Sequence, residues 1–244
     1  MQKKIQFQSD QYTISGNLHL PAIKSPPIVI GSHGLLSSAD SPKQIALAEA
    51  CTENGIAYFR FSHRGCGKSS GDFASATSFE GRCRDVIRAV QIILDRKDTG
   101  NQIAMFGSSF GGAVILGVSH IFQTRAIVTA AAPVRLQSIR TPVITDPSEK
   151  SLLKSISTEK LSFDVSCQLP GISNILIFHG DADDVVPFSN ALEIYDKTEC
   201  PKKLIRQHSG DHPMGDPLHQ KEFISVAADW FKNGFKYDVV LTAS

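Results

Sequence analysis

The sequence predicts an α/β fold: a mostly parallel central sheet opened by an N-terminal antiparallel hairpin, with helices on both faces. Three observations carry this. Short, continuous apolar runs recur along the chain, which is how parallel strands covered on both faces read. Segments with helical periodicity separate those runs almost throughout. Only the first twenty residues alternate apolar and polar positions, the mark of half-buried antiparallel strands.

In chain order, "KKIQFQS" and "YTISGNLHL" form the opening hairpin around Asp10-Gln11. "PPIVIGSHG" supplies the first buried strand. "SPKQIALAEACTEN" follows as a helix, with Ser-Pro as cap and first helical residue and Asn54-Gly55 as its stop. "GIAYFRFS" is the next strand. "SFEGRCRDVIRAVQIILDRK" is the next helix, its apolar residues at 86, 87, 90, 93 and 94 on one face. "NQIAMFG" and "SFGGAVILGVSHIF" continue as strand and helix, and "RAIVTAAA" as strand. Residues 135–171 break the alternation; they hold a short helix around 148–158 and read as an excursion over the sheet. "NILIFHG", "PFSNALEIYDKT", "KKLIRQH" and "HQKEFISVAADWFKN" restore it. No repeat or low-complexity tract interrupts the chain, which reads as a single domain over 1–244.

Composition removes several classes of function. With 41% hydrophobic and 20% charged residues, the chain is that of an ordinary globular protein, and a net charge of +1 implies no nucleic-acid partner. Five cysteines without tight spacing suggest free thiols in a reducing compartment, so the expected location is the cytoplasm. "MQKKIQFQSD" lacks the apolar core of a signal peptide, and no window approaches the roughly 18–20 apolar residues of a membrane span. Eight histidines include no H-E-x-x-H spacing, so no metal site is expected. "SHRGCGKSS" imitates a phosphate-binding loop, but Ser62 stands where that motif needs its first glycine.

In an open α/β sheet, ligands bind beyond the carboxyl ends of the strands. The polar residues there are Ser32-His33-Gly34, Ser62-His63-Arg64, "GSSFGG", "HGDADDVVP" and "HSGDH". Gly107, Ser109 and Gly111 fit G-x-S-x-G, a turn from strand to helix that lifts a serine hydroxyl above the sheet edge. The phase of the glycines selects Ser109 and leaves Ser108 a bystander. Serine needs a base, and the base an orienting carboxylate. Asp181, Asp183 and Asp184 are candidates for the acid, His208 and His212 for the base.

These segments resemble the α/β-hydrolase superfamily, in particular small serine esterases of the serine-aminopeptidase, acylglycerol-lipase and feruloyl-esterase-like branch. The resemblance covers nearly the whole chain, through "GSHGLL", "FRFSHRGCGKSSG", "GSSFGG", "HGDADDVVP" and "GDHPM". It implies a triad of Ser109, Asp183 and His212: the spacing from His179-Gly180 to Val186-Pro187 selects Asp183, and Gly210-Asp211-His212 selects the base. It also implies an oxyanion hole made by the backbone N–H groups of Leu35 and Phe110, and a cap reduced to 135–171.

The expected reaction is hydrolysis of small or medium acyl esters through an acyl-enzyme, with no cofactor, no nucleic acid and no membrane. A peptidase, thioesterase or acyltransferase could use the same triad, and a catalytically silent binding protein could use the same fold. His33 is expected to tie its loop down. His63 and Arg64 are expected to contact substrate, to position their loop or to lie at the surface. Asp181 should serve its turn, His208 should be structural, and Asp184 could cap the helix near Pro187-Phe188.

Overall fold

The computed structural model of the chain describes residues 1–140 and 146–236. Eight strands form one sheet: β1 (Gln2–Ser9), β2 (Tyr12–His19), β3 (Ile28–Ser32), β4 (Ala57–Ser62), β5 (Ile103–Ser108), β6 (Thr124–Ala130), β7 (Ile175–Gly180) and β8 (Lys202–Gln207). Their spatial order is β1-β2-β4-β3-β5-β6-β7-β8. β1 pairs antiparallel with β2, and β2 antiparallel with β4; every later pairing is parallel.

Among the described residues, seven α-helices accompany them: α1 (Pro42–Glu53), α2 (Phe73–Ala76), α3 (Phe79–Leu94), α4 (Phe110–Val118), α5 (Pro147–Ser155), α6 (Ser189–Lys197) and α7 (Pro217–Gly234). Local chemistry sets their starts. Ser41, Asp72, Ser78, Asp146 and Asp216 each accept a bond from a first-turn amide, satisfying donors that a helix leaves open.

Alternation along each strand sends successive side chains to opposite faces. Ile28, Ile30, Phe59, Phe61, Met105 and Ile177 face the layer of α3, α4 and α6. Val29, Tyr58, Phe106, Val128 and Phe178 face α1 and α7. Each fully buried Phe or Ile contributes about 1.5–3 kcal/mol relative to exposure, so two continuous apolar layers hold the sheet rigid.

The strand order reverses at β3. α1 carries the chain from β3 outward to β4, and α3 returns it on the other face to β5, on the far side of β3. Adjacent parallel strands whose connections diverge leave a crevice at their carboxyl ends. "His33-Gly34-Leu35" and "Ser108-Ser109-Phe110" emerge side by side there, because Ser32 pairs with Gly107.

The elements follow the sequence reading with local corrections. Leu94 is exposed rather than on the buried face of α3, and that face instead includes Arg82 and Asp85. The excursion between β6 and β7 holds α5 and short 3-10 turns at Leu136–Ser138 and Thr158–Leu161; its residues 141–145 lie outside the described residues. None of α5 is buried. The excursion is fastened by Phe163, stacked 4.8 Å from Phe79 and edge-on to Phe110, and by Arg135, which forms a two-pronged bond to Glu193.

Candidate active site

Ser109 ends β5 and opens α4 with φ 52° and ψ −126°, a region costly for a residue with a Cβ. Its N–H is tied to the Ala130 carbonyl at 2.8 Å on the neighbouring strand. The turn closes because glycines flank it. A Cβ at Gly107 would fall on the Gly111 carbonyl and 2.6 Å from Gly112 Cα. A Cβ at Gly111 would collide with the Ser32 carbonyl and come within 2.5 Å of the His33 carbonyl.

His212 and Asp183 come from the loops after β8 and β7. The two loops meet where Gly180 faces Gly210, a contact without room for a side chain. The Ala182 N–H bonds to the Gly210 carbonyl at 3.1 Å, locking acid and histidine loops together. Lys43 adds a bond to the Pro213 carbonyl at 3.0 Å.

The structure brings Ser109, His212 and Asp183 into one line. Ser109 Oγ lies 3.0 Å from His212 Nε2, and His212 Nδ1 lies 2.8 Å from Asp183 Oδ2. A carboxylate only accepts, so Nδ1 carries the proton and Nε2 is free to accept from the serine hydroxyl. Asp183 Oδ1 accepts from the amides of Val185 and Val186, at 2.9 and 2.7 Å. Burial would raise this carboxyl, but bonds from His179, His212 and the Val186 amide hold it well below the usual range.

His179 is a contributor that sequence reasoning used only as a spacing marker. Its Nε2 donates to the Val186 carbonyl at 2.7 Å and lies 3.3 Å from Asp183 Oδ2. Its position four residues before the acid, at the end of a buried strand, was the available signal.

The neighbouring aspartates are sorted by geometry. Asp181 serves its turn, accepting from the Ser209 N–H at 2.6 Å and from Arg206 at 2.8 Å. Asp184 is exposed. The expectation that it caps the following helix is corrected: the N-cap of α6 is Phe188, and no side chain bonds there. His208, expected to be structural, has a ring 91% exposed and lies 3.2 Å from Asp181.

The loop opposite Ser109 is braced from behind. His33 accepts from the His63 N–H on Nε2 at 3.0 Å and donates from Nδ1 to the Gly34 carbonyl at 2.7 Å. Burial first, then the nearby His63 and the Arg82 cation, keep this ring well below the usual histidine pKa. His63 is buried as well; its Nδ1 faces Asp85 at 3.3 Å and its Nε2 accepts from Ser32 Oγ at 2.9 Å. Arg64 forks onto Asp85 at 2.7 and 3.0 Å and reaches Asp10 at 2.8 Å. The expectation that His63 and Arg64 lie at the surface is therefore corrected, while their bonds to the His33 and Asp85 side chains bear on the positioning of the loop. Both are sealed inside an ion-pair network, because Asp85 on α3 needs cationic partners once buried.

The peptide of Gly34 and Leu35 lies against the serine: a Cβ on Gly34 would sit 3.6 Å from Ser109 Cβ. Phe110 begins α4, so its N–H belongs to the unpaired first turn of that helix. Arg82, also unanticipated, donates to the carbonyls of Gly34 and Leu35 at 3.1 and 2.8 Å. Helical spacing could have revealed it, since position 82 shares the buried stripe with Val86, Ala89 and Ile93. Among the described residues, no group of three or more histidine, cysteine or acidic side chains could hold a metal, and no helix is long and apolar enough to cross a membrane.

Comparison with known proteins agrees with this architecture. The chain is 30% identical over 199 residues to the uncharacterized protein YfhR of Escherichia coli O157:H7, covering 79% of this chain and 65% of that protein's length. It is 29% identical over 212 residues to mouse mitochondrial palmitoyl-protein thioesterase ABHD10, covering 77% of this chain and 69% of the relative. Among solved structures, Est1E of Butyrivibrio proteoclasticus with bound ferulic acid superposes with a TM-score of 0.77 at 16% identity, over 95% of this chain and 99% of the other. A Pyrococcus furiosus esterase superposes with a TM-score of 0.80 at 18% identity, over 96% and 91%. The model of the serine aminopeptidase S33 family matches residues 24–159, and the chain belongs to that family, within the α/β-hydrolases.

Proposed function

We propose that the chain is a serine hydrolase that cleaves carboxylic esters of small or medium acyl chains through an acyl-enzyme. One observation carries the reading: a hydroxyl on a strained turn, 3.0 Å from an imidazole whose other nitrogen is 2.8 Å from a buried carboxylate. In this reading Ser109 Oγ attacks the carbonyl carbon while His212 Nε2 takes its proton. Asp183 keeps His212 in the accepting tautomer and stabilises the imidazolium. The oxyanion forms against the amides of Leu35 and Phe110, each contributing about 3–4 kcal/mol in the transition state. His212 then protonates the leaving alcohol, and a water activated by the same ring releases the acid. The exposed α5 offers little apolar cover, which favours short acyl groups over long ones.

A second reading, thioester hydrolysis, is favoured by the palmitoyl-protein thioesterase relatives at 29% identity. The triad chemistry is the same, and only the leaving group differs. The test is fluorophosphonate labelling followed by matched oxoester and thioester panels of increasing acyl length. Labelling on Ser109 with fastest turnover of soluble butyrate oxoesters supports the first reading. Faster thioester turnover selects the second, and absence of labelling refutes both.

A further inference from the structure

Arg82 is fully buried, yet its guanidinium does not serve an active-site carboxylate. Its Nη1 donates to the Gly34 carbonyl, and its Nη2 donates to the Leu35 carbonyl and, at 3.3 Å, to Cys66 Sγ. The guanidinium carbon also lies 5.4 Å from the centre of the Phe110 ring. One side chain from α3 thus touches both segments whose amides flank Ser109.

In a trans peptide the C=O and the N–H lie in one plane and point in opposite directions. The Gly34 carbonyl is drawn toward Arg82 and His33. The Leu35 N–H, in the same plane, must therefore point the opposite way. A Cβ built on Gly34 would lie 3.6 Å from Ser109 Cβ, so this peptide stands near the nucleophile. An apolar residue would fill the same volume without the desolvation cost of a cation, so stability alone gives little reason for a guanidinium here. Its planar fork holds two successive carbonyls on two nitrogens of fixed relative direction, whereas an ammonium would reach both from a single rotatable point.

We propose that Arg82 is a positioning residue for the oxyanion hole, fixing the direction of the Leu35 N–H from behind the peptide and holding Phe110 beside it. The proposal rests on the assignment of Leu35 and Phe110 as oxyanion donors. Arg82 never meets substrate; it acts through the peptide. Its effect belongs to the transition state, because the developing oxyanion needs the aligned amide more than the ground-state carbonyl does.

The test compares Arg82→Met and Arg82→Lys with wild type, using p-nitrophenyl butyrate and a tetrahedral boronic-acid inhibitor. Arg82→Met should lower kcat about 10- to 100-fold, the scale of a misplaced oxyanion donor, and leave KM nearly unchanged. Boronate affinity should weaken by the same factor as kcat. Arg82→Lys keeps the charge but only a point donor, so its loss should be intermediate; it also carries the test if the methionine variant does not fold. Wild-type kcat and boronate affinity in Arg82→Lys, or a loss confined to KM, would overturn the proposal alone. A wild type that neither labels on Ser109 with fluorophosphonate nor turns over ester would overturn the triad reading and this proposal with it.

Discussion

Replacing Asp183 by asparagine separates the acid's electrostatic role from its packing. The substituted side chain has nearly the same shape but only one oxygen. That oxygen is claimed by the amides of Val185 and Val186, now at 2.9 and 2.7 Å from Oδ1, and these backbone donors cannot turn away. The new NH2 group must then face His212 Nδ1, from which Oδ2 now accepts at 2.8 Å, and lie near His179 Nε2, 3.3 Å from Oδ2. His212 avoids the donor clash by moving its proton to Nε2, so that it points a hydrogen at Ser109 and can no longer serve as base. Locking a triad histidine in the wrong tautomer lowers kcat by about 10⁴, equivalent to about 5 kcal/mol in the barrier. Folding should lose much less, about 1–2 kcal/mol, because His179 keeps its bond to the Val186 carbonyl. The assay is kcat on p-nitrophenyl butyrate, the rate of fluorophosphonate labelling, and a urea melt, with Asp184→Asn as control. Asp184 is exposed and caps nothing, so its substitution should leave both turnover and stability near wild type. An Asp183→Asn enzyme within tenfold of wild type, or an inactive Asp184→Asn, would refute this account of the acid loop.

Ser109→Ala should abolish hydrolysis and labelling while Ser108→Ala retains most of both; equal losses in folded variants would move the nucleophile. Gly111→Ala should lower the melting temperature sharply, with a cost of at least about 3 kcal/mol, because the new methyl meets backbone carbonyls of Ser32 and His33 rather than side chains that can yield; an unchanged melt would contradict the tight turn. Stability should also fall as the medium is acidified below pH 6.5. Burial pushes His63 down to about 4, against the opposing pull of Asp85, and keeps His33 low as well. Both rings stay neutral when folded and take up protons when unfolded, so their contribution is complete above 6.5 and is lost as pH falls from there toward 4. Urea midpoints that stay constant between pH 7 and 5 would show that these rings already carry charge in the fold.

Much of this protein is legible in local pattern. Buried parallel strands announce themselves as runs such as "ILIF", one helix start as Ser-Pro, and the turn after β5 as a serine in phase with Gly107 and Gly111. These signals survive because they depend only on neighbours within a turn or a pleat. Tertiary structure decided what distance along the chain conceals. Ser109 and His212 are 103 residues apart, and their meeting depends on β5 and β8 ending at the same rim of one sheet. The choice of Asp183 over Asp181 and Asp184 depends on which carboxylate the turn after β7 aims at that ring. Periodicity could place Arg82 and Asp85 on the inner face of α3, yet their partners come from the loops after β3 and β4. His63 and Arg64 read as substrate contacts, loop-positioning groups or surface residues for the same reason. A charged side chain is tolerated inside only when charges or carbonyls from remote segments meet it, and sequence alone does not state which segments those are.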